Sequence, residues 1–395
     1  MRVLITGGTG FVGSHTVAAV ARAGHAVRLL VRRPERVDAA LAPLGISVQD
    51  IVSGDVLDPE SVQTAVEGCD AIINAAAIYS LDPRKAASVL ATNARATTIV
   101  LEAAVRAGLD PIVHVSSYVA LLPSRHVLTP DSPVGAGGAA AYPRSKAQSE
   151  LIARRHQSAG APVVTTYPGA VAGPDDPYFG DTAFTLAMIL RNRVPFALPG
   201  RWAVADVGYV AGAHAAMIEP GRGPRRYLLG GHNTTWNDLY ASLRHLTGRR
   251  LPAVPAPGSL ARASGRAMDA LQRLARTRLP VGHQGPWIIT RCAGTDDTTT
   301  RQELGIEPPR LEQTLADTIR WMVQAGHLPA RLAGDLVAAD VHPHSGCHSD
   351  HITGLSAHAA AMRNPDVAAR RVGDLISYQS DRKGCAVTAD KVCKP

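Results

Sequence analysis

An apolar run, MRVLIT, passes directly into GGTGFVGSH, so Gly7, Gly10 and Gly13 stand between a predicted strand and a predicted helix. Each of the three positions has its own physical need for glycine. The first permits a tight turn, the second lets a pyrophosphate approach the backbone, and the third lets the helix pack on the strand. The N–H groups at the start of the helix are then aimed at the anion. A glycine pattern alone is weak, and a purely structural turn is its plain alternative. The strand-turn-helix context is what gives the pattern weight.

The chain continues by alternating β-rich runs with Ala-rich helical ones: a helix near 12–23, AVRLLV, a helix near 59–67, and AIINAAA. A helix through about 86–107, PIVHVSS, a helix from Tyr142 to about Ala159 and VVTTYPG follow. Strands alternating with long helices imply right-handed crossovers and a parallel sheet. The expected fold is therefore α/β, a Rossmann-type doubly wound parallel sheet in residues 1–168. Beyond Gly169 the pattern breaks into Pro/Gly-rich loops, isolated helices at 182–192 and 236–247, and a YLLGG strand at 227–231. A smaller substrate-binding lobe is expected over 169–330, with a segment near 203–218 returning to the first domain. A helix over 311–326 ends on Gly326, as helices commonly do.

Residues 258–279 place Leu260, Ala263, Ala267, Leu271, Leu274 and Ala275 opposite Arg262, Arg266, Arg273 and Arg276 at helical spacing. The preferred reading is a lid or surface helix with its apolar side toward the core; a basic amphipathic helix touching a membrane surface is the alternative. Residues 331–395 show no convincing periodicity and read as a flexible tail. Within it, HPHSGCHSDH gathers His342, His344, Cys347, His348 and His351, ligand types that suit zinc or nickel. No second cluster accompanies them, so no metal site is assigned.

Composition narrows the partners. Hydrophobic residues are 46% and charged residues 19%, with no run of eighteen apolar residues, so no transmembrane span is expected. The first strand begins at Met1, leaving no space for a cleavable leader, and a cytoplasmic location is expected. The five cysteines are an odd set without a CxxC pair, which suits a reducing compartment. The net charge of +8 comes with scattered arginines that are not interleaved with aromatics, so no nucleic-acid partner is expected.

At the end of the second strand, where an acid commonly holds a ribose 2′-hydroxyl, the chain reads LLVRRPER. An arginine at position 32 accommodates a 2′-phosphate that a carboxylate would repel. NADP(H) is therefore expected, with NAD(H) as the alternative if Arg32 is only a solvated loop charge.

Tyr142 and Lys146, in AYPRSKAQSEL, lie four apart at the start of a helix and share one face. Carbonyl reduction needs a proton delivered to a developing alkoxide, and an unassisted phenol of pKa about 10 does this poorly near neutrality. A neighbouring ammonium would lower the phenol toward working pH. Ser116 and Ser117 close the preceding strand at the carboxyl edge of the sheet, where such folds place ligands.

TGGTGFVGSH, LLVRR, GDVLD, INAAA, TNARATTIVLEAAVRAG, HVSS, YPRSK and TYPGAVAGP, in this order and spacing, resemble the extended short-chain dehydrogenases/reductases over roughly residues 1–330. The resemblance implies that Gly7, Gly10, Phe11, Val12 and Gly13 surround the pyrophosphate, and Asp55 and Val56 the adenine. Asn74, Ala75 and Ala76 would run along the cofactor, with Pro168 and Gly169 beside the nicotinamide. Ser117, Tyr142 and Lys146 would be the catalytic triad, Tyr142 and Lys146 also touching the cofactor, and Asn93 would support the lysine through water. It further implies a homodimer built on two helices beside the site. SSYVALLP is more similar to the dihydroflavonol reductase and 3β-hydroxysteroid dehydrogenase branch than to nucleotide-sugar epimerases. DVGYVA at 206–211 departs from the common DVRDVA, which puts inter-lobe contacts of the missing arginine and acid in doubt.

The expected function is NADP(H)-dependent hydride transfer to or from a small carbonyl compound or secondary alcohol, apolar by the scarcity of charges around the expected pocket. A nucleotide-sugar epimerase or dehydratase and a non-catalytic NADP sensor are the competing readings.

Overall fold

A computed structural model describes residues 1–138, 140–274 and 282–338. Its strands are β1 (Arg2–Thr6), β2 (Ala26–Val31), β3 (Asp50–Ser53), β4 (Ala71–Asn74), β5 (Ile112–Val115), β6 (Val163–Pro168), β7 (Ala170–Ala172), β8 (Phe196–Ala197), β9 (Arg201–Asp206), β10 (Arg225–Leu229), β11 (His232–Thr235) and β12 (Val254–Pro255). The helices are α1 (Phe11–Arg22), α2 (Val37–Leu41), α3 (Pro59–Val66), α4 (Ala86–Arg106), α5 (Ala141–Ser158), α6 (Asp181–Leu190), α7 (Val207–Ala216), α8 (Trp236–Thr247), α9 (Gly258–Leu274), α10 (Gln284–Thr290), α11 (Thr298–Leu304), α12 (Leu311–Gln324) and α13 (Asp335–Ala338).

Seven strands form one sheet in the order β10-β6-β5-β4-β1-β2-β3, every pairing parallel. The order reverses beside β1, as in the expected doubly wound fold. The two-residue period of the strands sorts their side chains onto two cores. Val3, Ile5, Ile73, Val113 and Val164 pack with Val17 and Val20 of α1 and Val210 and Ala213 of α7. Leu4, Ile72, Ile112 and Val163 pack with Val62 of α3, Val100 and Leu101 of α4, and Ala153 of α5. Both faces being covered, β4, β5 and β6 are buried throughout, the polar His114 of β5 and Thr165 and Thr166 of β6 included.

The strand expected at 227–231 spans 225–229 and belongs to this sheet, not to the substrate lobe. It pairs with β6, with Tyr227 opposite Thr166. Tyr227 and Leu229 enter one core and Leu228 another, so the run needs cover on both sides. Gly230 and Gly231, expected in the strand, instead lead out of it, Gly231 with a φ of 64°.

A third apolar cluster joins α6, α8 and α12 through Leu186, Trp236, Leu239, Leu243, Leu315 and Ile319. It adjoins the small sheet β11-β9-β7. Helix α8 begins with a capping box in which Thr235 and Asp238 satisfy each other's backbone N–H groups. Asp206, from DVGYVA, caps α7 through the N–H groups of Gly208 and Tyr209 and also accepts a 3.0 Å bond from Thr314 Oγ1 of α12. The departure from DVRDVA therefore leaves an acid that ties α7 to α12.

Helix α9 does not bury its apolar side as expected, although Arg266 is exposed as the pattern implied. Leu260 and Leu271 are 62% and 54% exposed, while Gly265 is buried. A Cβ on Gly265 would stand 2.8 Å from the His283 Cα, so this face approaches the next loop too closely for a larger side chain. Arg262 donates to Thr290 at 2.8 Å and Asp269 accepts the His283 N–H at 3.0 Å, drawing the polar side inward. The side chains of Arg273 and Leu274, and all of Ala275, Arg276 and the histidine- and cysteine-bearing segment after residue 338, lie outside the described residues. Among those described, no helix is long and apolar enough to cross a membrane, and Cys69 and Cys292 are buried free thiols.

Candidate active site

The predicted glycines build the turn from β1 into α1. Gly7 has a φ of 73°, and a Cβ there would lie 2.8 Å from the backbone of Ala75 and Ala76. A Cβ on Gly13 would lie 2.0 Å from the Gly7 carbonyl oxygen. At Gly10 only that same oxygen, at 3.2 Å, stands near. Gly10 caps α1, and among the described residues no side chain takes up the N–H groups of the first turn, which includes Phe11, Val12 and Gly13. This is a cradle of the right chemistry for a pyrophosphate, walled where glycine is sterically required and open at Gly10.

The carboxyl ends of the parallel strands bring the remaining candidates to one edge. Arg32 follows β2 directly; it is exposed and has no ion pair among the described residues. Asp55 sits in the turn after β3, its carboxylate accepting the Leu57 N–H at 3.0 Å, with Val56 between them. Thr6 Oγ1 donates to Asn74 Oδ1 at 2.7 Å and accepts the Ala76 N–H at 3.2 Å, while the Ala75 N–H donates to the Thr6 carbonyl. Thr6, not singled out from the sequence, thus holds the β4 exit against the glycine turn. Pro168 ends β6, and a Cβ on Gly169 would lie 2.7 Å from the Ala203 carbonyl oxygen.

Tyr142 and Lys146 occupy the first turns of α5, both buried. The Ser117 hydroxyl donates to the Pro168 carbonyl at 3.4 Å and accepts the Val119 N–H at 3.5 Å. Ser116, the other candidate, is buried with its hydroxyl making no hydrogen bond among the described residues. Lys146 Nζ donates to the Val115 carbonyl at 3.1 Å. Burial lowers the lysine to about 8, opposed by the carboxylate of Glu150. Burial also pushes the Tyr142 phenol well above its ordinary value, with the Ser117 contact offsetting part of the rise. The sequence expectation was a phenol drawn down toward neutrality. In this structure desolvation outweighs any help from the ammonium, which is engaged by the backbone of β5.

Asn93 does not reach Lys146 directly. Its side chain donates to the Ile78 carbonyl at 3.0 Å and to Ser145 Oγ at 3.1 Å, and accepts the Ile78 N–H at 2.8 Å. It ties the loop after β4 to α5. Two further residues escaped the sequence reading. Tyr79, on that loop, meets the Tyr142 ring edge-on at 4.7 Å. Gln284 Oε1, from α10, accepts the Tyr142 N–H at 2.9 Å and so caps α5 from 142 residues away. No local sequence signal marks such a long-range cap.

A doubly wound sheet with a glycine cradle at one strand end and a buried Tyr-Lys helix at another defines a nicotinamide-dependent oxidoreductase class. Residues 3–230 match the model of the NAD dependent epimerase/dehydratase family, and the chain belongs to that family. It is similar to a Synechocystis sp. protein provisionally named dihydroflavonol 4-reductase, 30% identical over 82% of this chain and 95% of that one. It is also similar to the 4-hydroxy-2-methyl-3-oxo-4-farnesyl-3,4-dihydroquinoline-1-oxide ketoreductase of Stigmatella aurantiaca, 27% identical over 82% of this chain and 98% of that one. Among solved structures, that of gox2253 matches with a TM-score of 0.69 and 25% identity, over 83% of this chain and 99% of that one. The protein is an oxidoreductase of the extended short-chain dehydrogenase/reductase type.

Proposed function

We propose that the protein transfers hydride between NADP(H) and a small, apolar ketone or aldehyde, or the corresponding secondary alcohol. The observation that carries this reading is the burial of Tyr142 and Lys146 in the first turns of α5, with Lys146 Nζ bonded to the Val115 carbonyl at the end of β5, two residues before Ser117. The nicotinamide supplies or accepts the hydride when bound.

In this reading Gly7, Gly10 and Gly13 hold the pyrophosphate, and Asp55 and Val56 lie by the adenine. Asn74, Ala75, Ala76, Pro168 and Gly169 flank the rest of the cofactor. Ser117 orients the carbonyl oxygen, and Tyr142 delivers a proton to it from its hydroxyl. The raised phenol favours the protonated form that reduction requires, and the Lys146 charge stabilises the phenolate left behind. Asn93 acts by holding the Ile78 loop to α5. Arg32, exposed at the end of β2, supplies the charge for a 2′-phosphate. A homodimer through α4 and α5 belongs to the same reading, supported by exposed Val105 and Leu151 on those helices.

Titrating wild type and Arg32→Ala with NADPH and NADH, followed by nicotinamide fluorescence, tests the cofactor assignment. NADPH should bind more tightly to wild type and lose about tenfold or more in the variant, the scale of one charge-assisted phosphate contact. Tighter NADH binding to wild type would overturn the NADP assignment and favour the epimerase or dehydratase reading.

A further inference from the structure

Tyr79 stands on the loop that leaves β4, and its ring meets that of Tyr142 with centroids 4.7 Å apart and planes at 89°. In this arrangement the positive rim of one ring rests against the negative face of the other. Tyr142 itself belongs to a buried cluster with Tyr118, Leu121 and Trp287. Tyr79 is 49% exposed, so a side chain that touches the proposed proton donor also meets solvent. The first turn of a helix is the part least held by the helix's own hydrogen bonds, and Tyr142 lies there. Its ring therefore depends on contacts from outside α5.

An aromatic ring on a free loop would hold nothing in place, but the backbone on both sides of Tyr79 is pinned. Before it, the buried Asn93 side chain accepts the Ile78 N–H at 2.8 Å and donates to the Ile78 carbonyl at 3.0 Å. After it, the Asp82 N–H donates to Ser80 Oγ at 3.2 Å and the Asp82 carboxylate accepts the Arg84 N–H at 2.9 Å, closing a turn. Ile78 and Leu81 pack against the cluster that contains Tyr142. The Asn93 amide also donates to Ser145 Oγ at 3.1 Å, and Ser145 Oγ donates to the Tyr142 carbonyl at 2.8 Å. A closed circuit results. It runs from the Tyr142 backbone through Ser145 and Asn93 to Ile78, and returns through the Tyr79 ring to the Tyr142 ring. Both hydrogens of the Asn93 amide are spent within it.

We propose that Tyr79 is a positioning residue for the reaction: held by Asn93 through Ile78, its ring fixes the Tyr142 ring and covers it on the solvent side. The proposal rests on the reading of Tyr142 as proton donor for its consequence in catalysis, while the packing of the two rings stands without that reading. Proton delivery needs the phenol within hydrogen-bond reach of the developing alkoxide, and a displacement of about 1 Å costs up to roughly 100-fold in rate. Asn93 thereby acts on the proton donor twice, through the backbone of α5 and through the ring of Tyr79.

The test is NMR of full-length protein labelled with 13C-tyrosine, with a soluble gadolinium chelate added to broaden solvent-accessible rings. Of the nine tyrosines, Tyr142 is assigned by the signals that Tyr142→Phe loses. In wild type the Tyr142 ring should be protected from broadening. Tyr79→Ala should lose that protection, and Tyr79→Phe, which keeps the ring, should retain it. In turnover, Tyr79→Ala should lower kcat by about tenfold or more at unchanged NADPH affinity, and Tyr79→Phe should restore most of the rate. A Tyr142 ring still protected in folded Tyr79→Ala overturns the proposal, as does a wild-type kcat in that variant. If Tyr79→Ala does not fold, Tyr79→Val, shorter and without a ring, takes its place with the same outcomes. A wild-type protein that reduces no carbonyl compound refutes the proposed function instead, and the broadening of Tyr142 then decides this proposal alone.

Discussion

Gly10 and Gly13 offer a paired perturbation that separates folding from cofactor binding. Adding a Cβ at Gly13 places it 2.0 Å from the Gly7 carbonyl oxygen and 2.7 Å from its carbon, both rigid backbone atoms. An ordinary contact needs more than about 3 Å, so α1 must retreat from β1 by over about 1 Å, an overpacking cost of roughly 1–3 kcal/mol. Gly10 has a φ of −90° and a ψ of 170°, extended backbone open to alanine, and its Cβ would meet only that oxygen at 3.2 Å. Gly10→Ala should therefore keep nearly wild-type stability, within about 1 kcal/mol for a changed cap. In the proposed binding mode its methyl would nonetheless stand where the phosphates approach, and about 2 kcal/mol of lost affinity is roughly 30-fold in Kd. Urea denaturation and NADPH titration of the two variants measure both quantities. Gly13→Ala should lose stability and affinity together, and Gly10→Ala affinity alone. Undiminished NADPH binding by Gly10→Ala would refute the placement of the pyrophosphate at this turn.

Two further predictions concern α5. Lowering Lys146 from 10.5 to about 8 corresponds to a burial cost of about 3 kcal/mol as an upper bound. The cost is fully present below pH 8 and is relieved as pH rises from 8 toward 10.5, because there the unfolded chain binds the extra proton. Lys146→Met should thus raise the thermal midpoint at pH 7 while abolishing turnover; a lowered midpoint would contradict the cost. Gln284→Ala leaves the Tyr142 N–H without its acceptor, a loss of about 1–3 kcal/mol. Denaturation midpoints and NADPH titration should show reduced stability with unchanged NADPH affinity, and an unchanged midpoint would show that the cap is dispensable.

What the sequence made legible were features with local periodicity. The β1 turn, the two-residue alternation of the sheet and the four-residue step from Tyr142 to Lys146 are each written within a few residues of one another. Less legible were features set by distant packing. β10 looked like part of the second lobe because its partner, β6, lies some sixty residues earlier. The orientation of α9 followed from the approach of Gly265 to His283, which no hydrophobic pattern records. The phenol of Tyr142 moved opposite to expectation because spacing places an ammonium nearby but cannot report how deeply a ring is buried.

The central claim, that Tyr142 is the proton donor of an NADPH-dependent reduction, is tested most directly by single-turnover oxidation of bound NADPH. Wild type and Tyr142→Phe should be compared with a panel of apolar ketones and aldehydes. The account predicts that Tyr142→Phe keeps wild-type NADPH affinity but slows oxidation by about 100-fold or more, the usual scale of positioned acid catalysis. Oxidation by Tyr142→Phe at the wild-type rate would contradict it.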